Sequence, residues 1–163
     1  MKNVVIYLIG FPAAGKYTTA KEICARDSDF RLVDNHLINN PVFNMLDLDG
    51  KTKVTRDVWD NIEKIWEVVC DTIIHHSPET ASFVFTNVLL DKEEADIRQY
   101  NRIKNMAAKR NAEFIPVLLN CSLNELSKRI VNEGRKERQK MTDVEGLHSY
   151  YDQYALMLSL IHI

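Results

Sequence analysis

Val4-Val5-Ile6-Tyr7-Leu8-Ile9-Gly10-Phe11-Pro12-Ala13-Ala14-Gly15-Lys16-Tyr17-Thr18 is the stretch whose reading decides the fold. It opens on an apolar run rich in β-branched residues and without polar alternation. That pattern predicts a strand buried on both faces, Asn3–Ile9. The run is too short to span a bilayer and has no signal-peptide cleavage pattern. Gly10 to Lys16 then matches G-x-x-x-x-G-K. The glycines let the backbone turn tightly and approach an anion without a Cβ in the way. Successive N–H groups form an anion nest, and the helix that follows adds its positive end. Lys16 supplies a full charge for terminal phosphates. A plain glycine turn with a surface lysine is the competing reading. It leaves the strand before the loop and the amphipathic helix after it without a purpose.

One position breaks the pattern. The residue after the lysine is ordinarily Ser or Thr, whose hydroxyl holds Mg²⁺. Here it is Tyr17, with Thr18 next. Thr18 would touch a phosphate nearer the ribose. Mg²⁺ keeps several waters and needs few protein ligands, and Asp34 would orient them.

Working outward, Lys16–Arg26 reads as a helix with Ala20, Ile23 and Cys24 on one face. Arg31–Val33 reads as a second strand. Asn39-Asn40-Pro41 reads as a turn leading to a short substrate-side helix. Thr55–His76 is the clearest helix, because Val58, Ile62, Ile65, Trp66, Val69 and Ile73 share one face. Ser82–Phe85 is a third strand. Asp91 with Glu94 resembles a capping box opening a helix to about Arg110. Glu113–Leu119 is a fourth strand despite Pro116. Ser122 with Glu125 opens a helix to about Asn132. Glu133–Gly146 is polar and weakly patterned and reads as a mobile loop, and a last helix begins near Leu147. Strand and helix in alternation predict a parallel sheet covered by helices, a three-layer α/β/α arrangement.

With 163 residues, a single domain over 1–163 is expected. Hydrophobic residues at 45% and charged residues at 27% exclude a disordered tail. A net charge of −2 gives no global reason to expect nucleic acid or an acidic membrane. Cys24, Cys70 and Cys121 are widely spaced and odd in number, which favours reduced thiols and a cytoplasmic protein over a disulfide framework or zinc site.

The loop Gly10–Thr19, the segment Val33-Asp34-Asn35-His36-Leu37 and the stretch Arg135–Asp143 together resemble the P-loop small-molecule kinases, a group that includes shikimate kinase, gluconate kinase and chloramphenicol phosphotransferase. The resemblance covers most of the chain in element order, and only the first loop is a specific motif. It implies a P-loop NTPase fold with a five-stranded parallel sheet, ATP as donor, Mg²⁺ as cofactor, and transfer of the γ-phosphate to a hydroxyl of a small molecule. Gly10, Ala13, Ala14, Gly15, Lys16, Tyr17, Thr18 and Arg129 become the expected nucleotide contacts.

Lys16, Asp34, Arg135 and Arg138 become the expected catalytic groups. Asp34, past the second strand, would accept the proton of the attacking hydroxyl or position it. A helix N-cap or a surface turn residue is its alternative. His36 reads either as a structural neutral histidine or as a substrate contact. Arg129, Arg135, Lys136, Arg138 and Lys140 cluster. They read as a solvated face or as a lid, about 133–146, closing over the phosphates. The third strand ends Phe85-Thr86-Asn87 with no aspartate before Asp91, which argues against a motor-type ATPase. Trp66 reads as core; Thr86 and Asn87 read either as acceptor lining or as strand-end caps. A monomer is expected. A nucleotide-binding module without transfer activity, and a kinase acting on a nucleotide or RNA end, stay open.

The final residues Leu156-Met157-Leu158-Ser159-Leu160-Ile161-His162-Ile163 resemble a peptide translated from sequencing-adapter DNA. The expectation is therefore a longer natural chain, with the last strand of the sheet lost by C-terminal truncation.

Overall fold

The computed structural model describes residues 2–47, 54–136 and 140–157. The elements follow in the order β1 (Val4–Ile9), α1 (Lys16–Arg26), β2 (Phe30–Asp34), α2 (Asn35–Phe43), α3 (Arg56–His75), β3 (Ser82–Asn87), α4 (Glu94–Lys109), β4 (Glu113–Leu118), α5 (Leu123–Ile130), α6 (Glu133–Lys136) and α7 (Val144–Gln153). Among the described residues the sheet has four strands, all parallel, in the order β2-β3-β1-β4. β1 lies inside the sheet, with Ile9 level with Asn87 on one side and Leu118 on the other.

The unbroken apolar run of β1 has a physical cause. Alternate side chains point to opposite faces of a strand, and both faces here are covered. Val5, Tyr7 and Ile9 pack with Ile62 and Trp66 of α3 and with Ile103 and Met106 of α4. Val4 and Leu8 pack on the other side with Ala20 of α1 and with Phe30 and Val84. A third cluster joins Phe11 and Ala13 of the glycine loop to Leu126, Ile130 and Leu147 of α5 and α7. The Phe11 ring lies 4.8 Å from that of Tyr151, so the loop is tied to the helices beyond β4. Trp66 is buried and stacks with Phe85, the core role its helical spacing predicts. Pro116 is accommodated because β4, among the described strands, pairs on one side only.

Several local expectations are corrected. Asn39-Asn40-Pro41 is not a turn: it lies within α2, which starts directly after Asp34. Asp91 does not cap α4. The N-cap is Glu93, and Asp96 Oδ2 instead accepts from the Leu90 N–H at 2.8 Å. The Ser122 cap of α5 forms as the capping box predicts, with the Glu125 N–H donating to its Oγ. The stretch 133–146 is not wholly loop. It contains α6, and α7 already begins at Val144 because Asp143 Oδ2 accepts from the Gly146 N–H at 2.7 Å. A fifth strand is not among the described residues. Leu156 makes an isolated antiparallel bridge with Leu90, and Met157 is buried in the main core. Residues 158–163, most of the suspect terminus, lie outside the described residues.

Candidate functional site

At the carboxyl ends of β1, β2 and β3 the sheet opens into a cavity of about 850 Å³. This is where open parallel sheets offer a ligand site. The glycine loop forms one wall. Gly10 follows β1 with its N–H bonded to the Asn87 carbonyl at 3.3 Å, and a Cβ on it would lie 2.8 Å from the Leu119 carbonyl oxygen. Ala13 and Gly15 have φ of 67° and 93°, so the loop reverses twice through left-handed backbone before α1 begins. Gly15 caps α1 without a side chain, leaving the helix N-terminus uncovered towards the cavity. Lys16 arches back across the loop, donating to the carbonyls of Gly10 at 2.7 Å and Phe11 at 2.9 Å. Desolvation, reinforced by the positive charges of Lys140 and Arg135, lowers its pKa to about 7. Asp34 opposes that shift.

Asp34 is the last residue of β2 and occupies the N-cap position of α2, yet its side chain does not cap the helix. Its carboxylate turns into the cavity wall instead. Oδ1 accepts from Thr86 Oγ1 at 2.5 Å and Oδ2 accepts from Lys140 Nζ at 2.9 Å. The capping alternative is thereby decided against. Thr86 lies beside Asp34 because β2 and β3 pair with those two residues in register. His36, in the first turn of α2, is pushed down to a pKa of about 4, first by burial and then by the Lys140 charge. It is a neutral imidazole near pH 7.

Thr18 and Tyr17 line the cavity, with the Tyr17 ring 4.7 Å from Lys140 Nζ. The Arg129 guanidinium, held by Glu125 at 2.7 Å, lies 3.9 Å from where a Cβ of Gly15 would be. Arg135 reaches the same cavity, its Nε donating to the Met141 carbonyl at 3.0 Å. Arg138 lies outside the described residues. Asn87 points away from the cavity, its amide donating to the Tyr7 hydroxyl at 3.2 Å. Trp59, unlike Trp66, lines the cavity, edge-on to Phe43. The residue that the sequence leaves in the background is Lys140, which stands out there only as one of five basic side chains. Its pairing with Asp34 spans 106 positions, and no local pattern encodes it.

Among the described residues no group of three or more His, Cys, Asp or Glu is placed to hold a metal. Tyr17 offers no hydroxyl at the usual metal position, and both Asp34 oxygens are engaged. Asp34 is the carboxylate among the described residues lining the cavity, and with one donor already on each oxygen it would meet a Mg²⁺ through the ion's waters. No helix among the described residues is long and apolar enough to cross a membrane.

No model of a known protein family matches the sequence. No curated protein matches it either. Solved structures do. A gluconokinase from Sinorhizobium meliloti 1021 superposes with a TM-score of 0.57 at 11% identity, over 94% of this chain and 75% of its own. A protein from Chloroflexus aurantiacus described as a candidate kinase gives 0.56 at 15% identity, over 97% and 84%. The Pnkp1/Rnl/Hen1 RNA repair complex also gives 0.56 at 15% identity, over 95% of this chain but only 47% of that one. The likeness is one of fold: the chain shares with these structures a three-layer α/β arrangement built on a parallel sheet.

Proposed function

We propose that the chain is an ATP-dependent phosphotransferase acting on a hydroxyl of a small molecule. The observation that carries this reading is the opening of Asp34 and the Gly10–Lys16 loop onto one cavity. A carboxylate at the end of β2 thus lines the same cavity as the glycine loop that follows β1. Gly10, Ala13, Ala14, Gly15, Lys16, Tyr17 and Thr18 would surround the phosphates through their backbone, with the Lys16 ammonium on the terminal groups and Arg129 beside Gly15. Asp34 would take or direct the acceptor proton as the acceptor oxygen bonds to the γ-phosphorus and the bond to the β-phosphate oxygen breaks. Arg135 and Arg138 would stabilise the charge on the equatorial oxygens. Mg²⁺ would enter with ATP, carried by phosphates and water. The segment 133–146 would supply these cations, and residues 1–163 would act as one domain.

ADP formation in the presence of a panel of hydroxylated acceptors tests this. Wild type should turn over one class of acceptor. Lys16→Ala should lose nucleotide binding. Asp34→Asn should keep nucleotide binding and lose about 10²-fold or more in turnover, the lower end of what a positioned general base contributes. Full turnover in Asp34→Asn would refute the role given to it.

A second reading, a kinase of nucleotide or RNA ends, is favoured by the likeness to the RNA repair complex. The net charge of −2 weighs against it. A steeply salt-dependent affinity for single-stranded RNA would favour it.

A further inference from the structure

Tyr17 is the residue of the loop that the phosphate-binding reading does not explain. A tyrosine there cannot present a hydroxyl where serine or threonine would. It presents a π face instead, and the structure fills that face with a cation: Lys140 Nζ lies 4.7 Å from the ring centroid. The same ammonium donates to Asp34 Oδ2 at 2.9 Å, and the two side chains are only 12% and 9% exposed. Thr86 fixes the other carboxylate oxygen. The Lys140 backbone N–H bonds the Arg135 carbonyl at 3.0 Å, which ties the residue to α6. Lys140 is therefore clamped by three elements, the start of α1, the end of β2 and α6. It stands beside the phosphate loop and against the carboxylate proposed to handle the acceptor.

We propose that Lys140 is a phosphate-contacting catalytic residue, and that Tyr17 is the positioning residue that seats it. This rests on the phosphotransferase reading of the same cavity. An ammonium has three donors and no acceptor. With one on Asp34 and the π face of Tyr17 behind it, the others are available to an oxygen of a γ-phosphate lying between the loop and Asp34. In transfer, the bond from the β-phosphate oxygen to the γ-phosphorus breaks and the acceptor oxygen bonds to that phosphorus. The acceptor proton passes to Asp34, and ADP leaves. Lys140 holds the γ-phosphate against the oxygen that attacks it. Aromatic faces attract desolvated cations strongly enough to set such a position. The loop has in effect replaced a metal-holding hydroxyl with a seat for a cation that the chain carries itself.

The test needs no acceptor. ATP and ADP are titrated separately into the full chain by calorimetry, for wild type, Lys140→Met, Lys140→Arg and Tyr17→Leu, with thermal melting to show that each is folded. A residue that reaches the γ-phosphate contributes to ATP and not to ADP. Lys140→Met should weaken ATP about tenfold or more and ADP by no more than about twofold, the scale of one charge-assisted hydrogen bond. Lys140→Arg should recover part of the ATP preference, and Tyr17→Leu should lose part of it. Equal weakening of both nucleotides, or no change in either, overturns the proposal and leaves Lys140 a structural ion pair. If Lys140→Met does not fold, Lys140→Arg and Tyr17→Leu decide: an unchanged ATP-to-ADP ratio in both overturns it. Wild type that binds neither nucleotide overturns the phosphotransferase reading itself, an outcome distinct from wild type that binds both with no preference that depends on Lys140.

Discussion

Nucleotide binding by this chain should take up a proton, because the lysine proposed to meet the phosphates is held close to neutrality in the free protein. Lys16 lies in its own loop with two backbone carbonyls as partners, and burial together with the nearby Lys140 and Arg135 charges lowers its pKa to about 7 from the usual 10.5. Above that value the free ammonium loses its proton. A bound triphosphate places several negative charges against it and restores the proton. Affinity should therefore fall as pH rises, by about tenfold per pH unit above about pH 7, which is about 1.4 kcal/mol for each unit. The perturbation is pH itself, and the assay is calorimetric titration of ATP with Mg²⁺ between about pH 7 and 9, repeated in buffers of different ionisation enthalpy. Near pH 8 the uptake should approach one proton, since about nine-tenths of the free lysine is then neutral. Lys16→Arg keeps its charge at every accessible pH and should flatten the profile. An affinity that does not change across this range, with no buffer-dependent heat, would refute the reasoning.

Two further outcomes test the frame around the site. Gly10→Ala would push a Cβ to 2.8 Å from a backbone oxygen that has no flexible end to yield. It should cost about 1–3 kcal/mol in urea unfolding and weaken ATP binding, since the loop would have to shift. Trp66→Ala empties the space between α3 and Phe85 and should cost about 3–5 kcal/mol in the same assay, with the nucleotide affinity of the folded fraction retained.

The departures between sequence and structure have particular causes. Asp143 opens α7 although Gly146 lowers helix propensity there, because an aspartate cap outweighs one glycine in the first turn. Asn39-Asn40-Pro41 carries turn-forming residues, yet α2 runs through them, with Ile38 buried against the main core. Tertiary burial overrides local propensity in that helix. Asp91 and Glu94 have the spacing of a capping box. The Asp91 N–H is taken instead by the Ala155 carbonyl at 2.7 Å, a contact across the fold that local spacing cannot anticipate.

What the sequence determines alone is local and periodic. The apolar run of β1, the glycines and lysine of the loop and the helical stripe of α3 each encode their structure within about twenty consecutive residues, because backbone sterics and burial of one face act at that range. The pairing of strands with no intervening hairpin follows too, since βαβ connections leave few alternatives. Only the tertiary structure decides which side chains share the cavity. Asp34 meets Thr86 because parallel pairing sets β2 beside β3 in one register. Lys140 meets Asp34 and Tyr17 across 106 and 123 positions of chain, contacts that only the folded molecule brings together. Electrostatic attraction depends on distance in space, and a sequence states only distance along the chain.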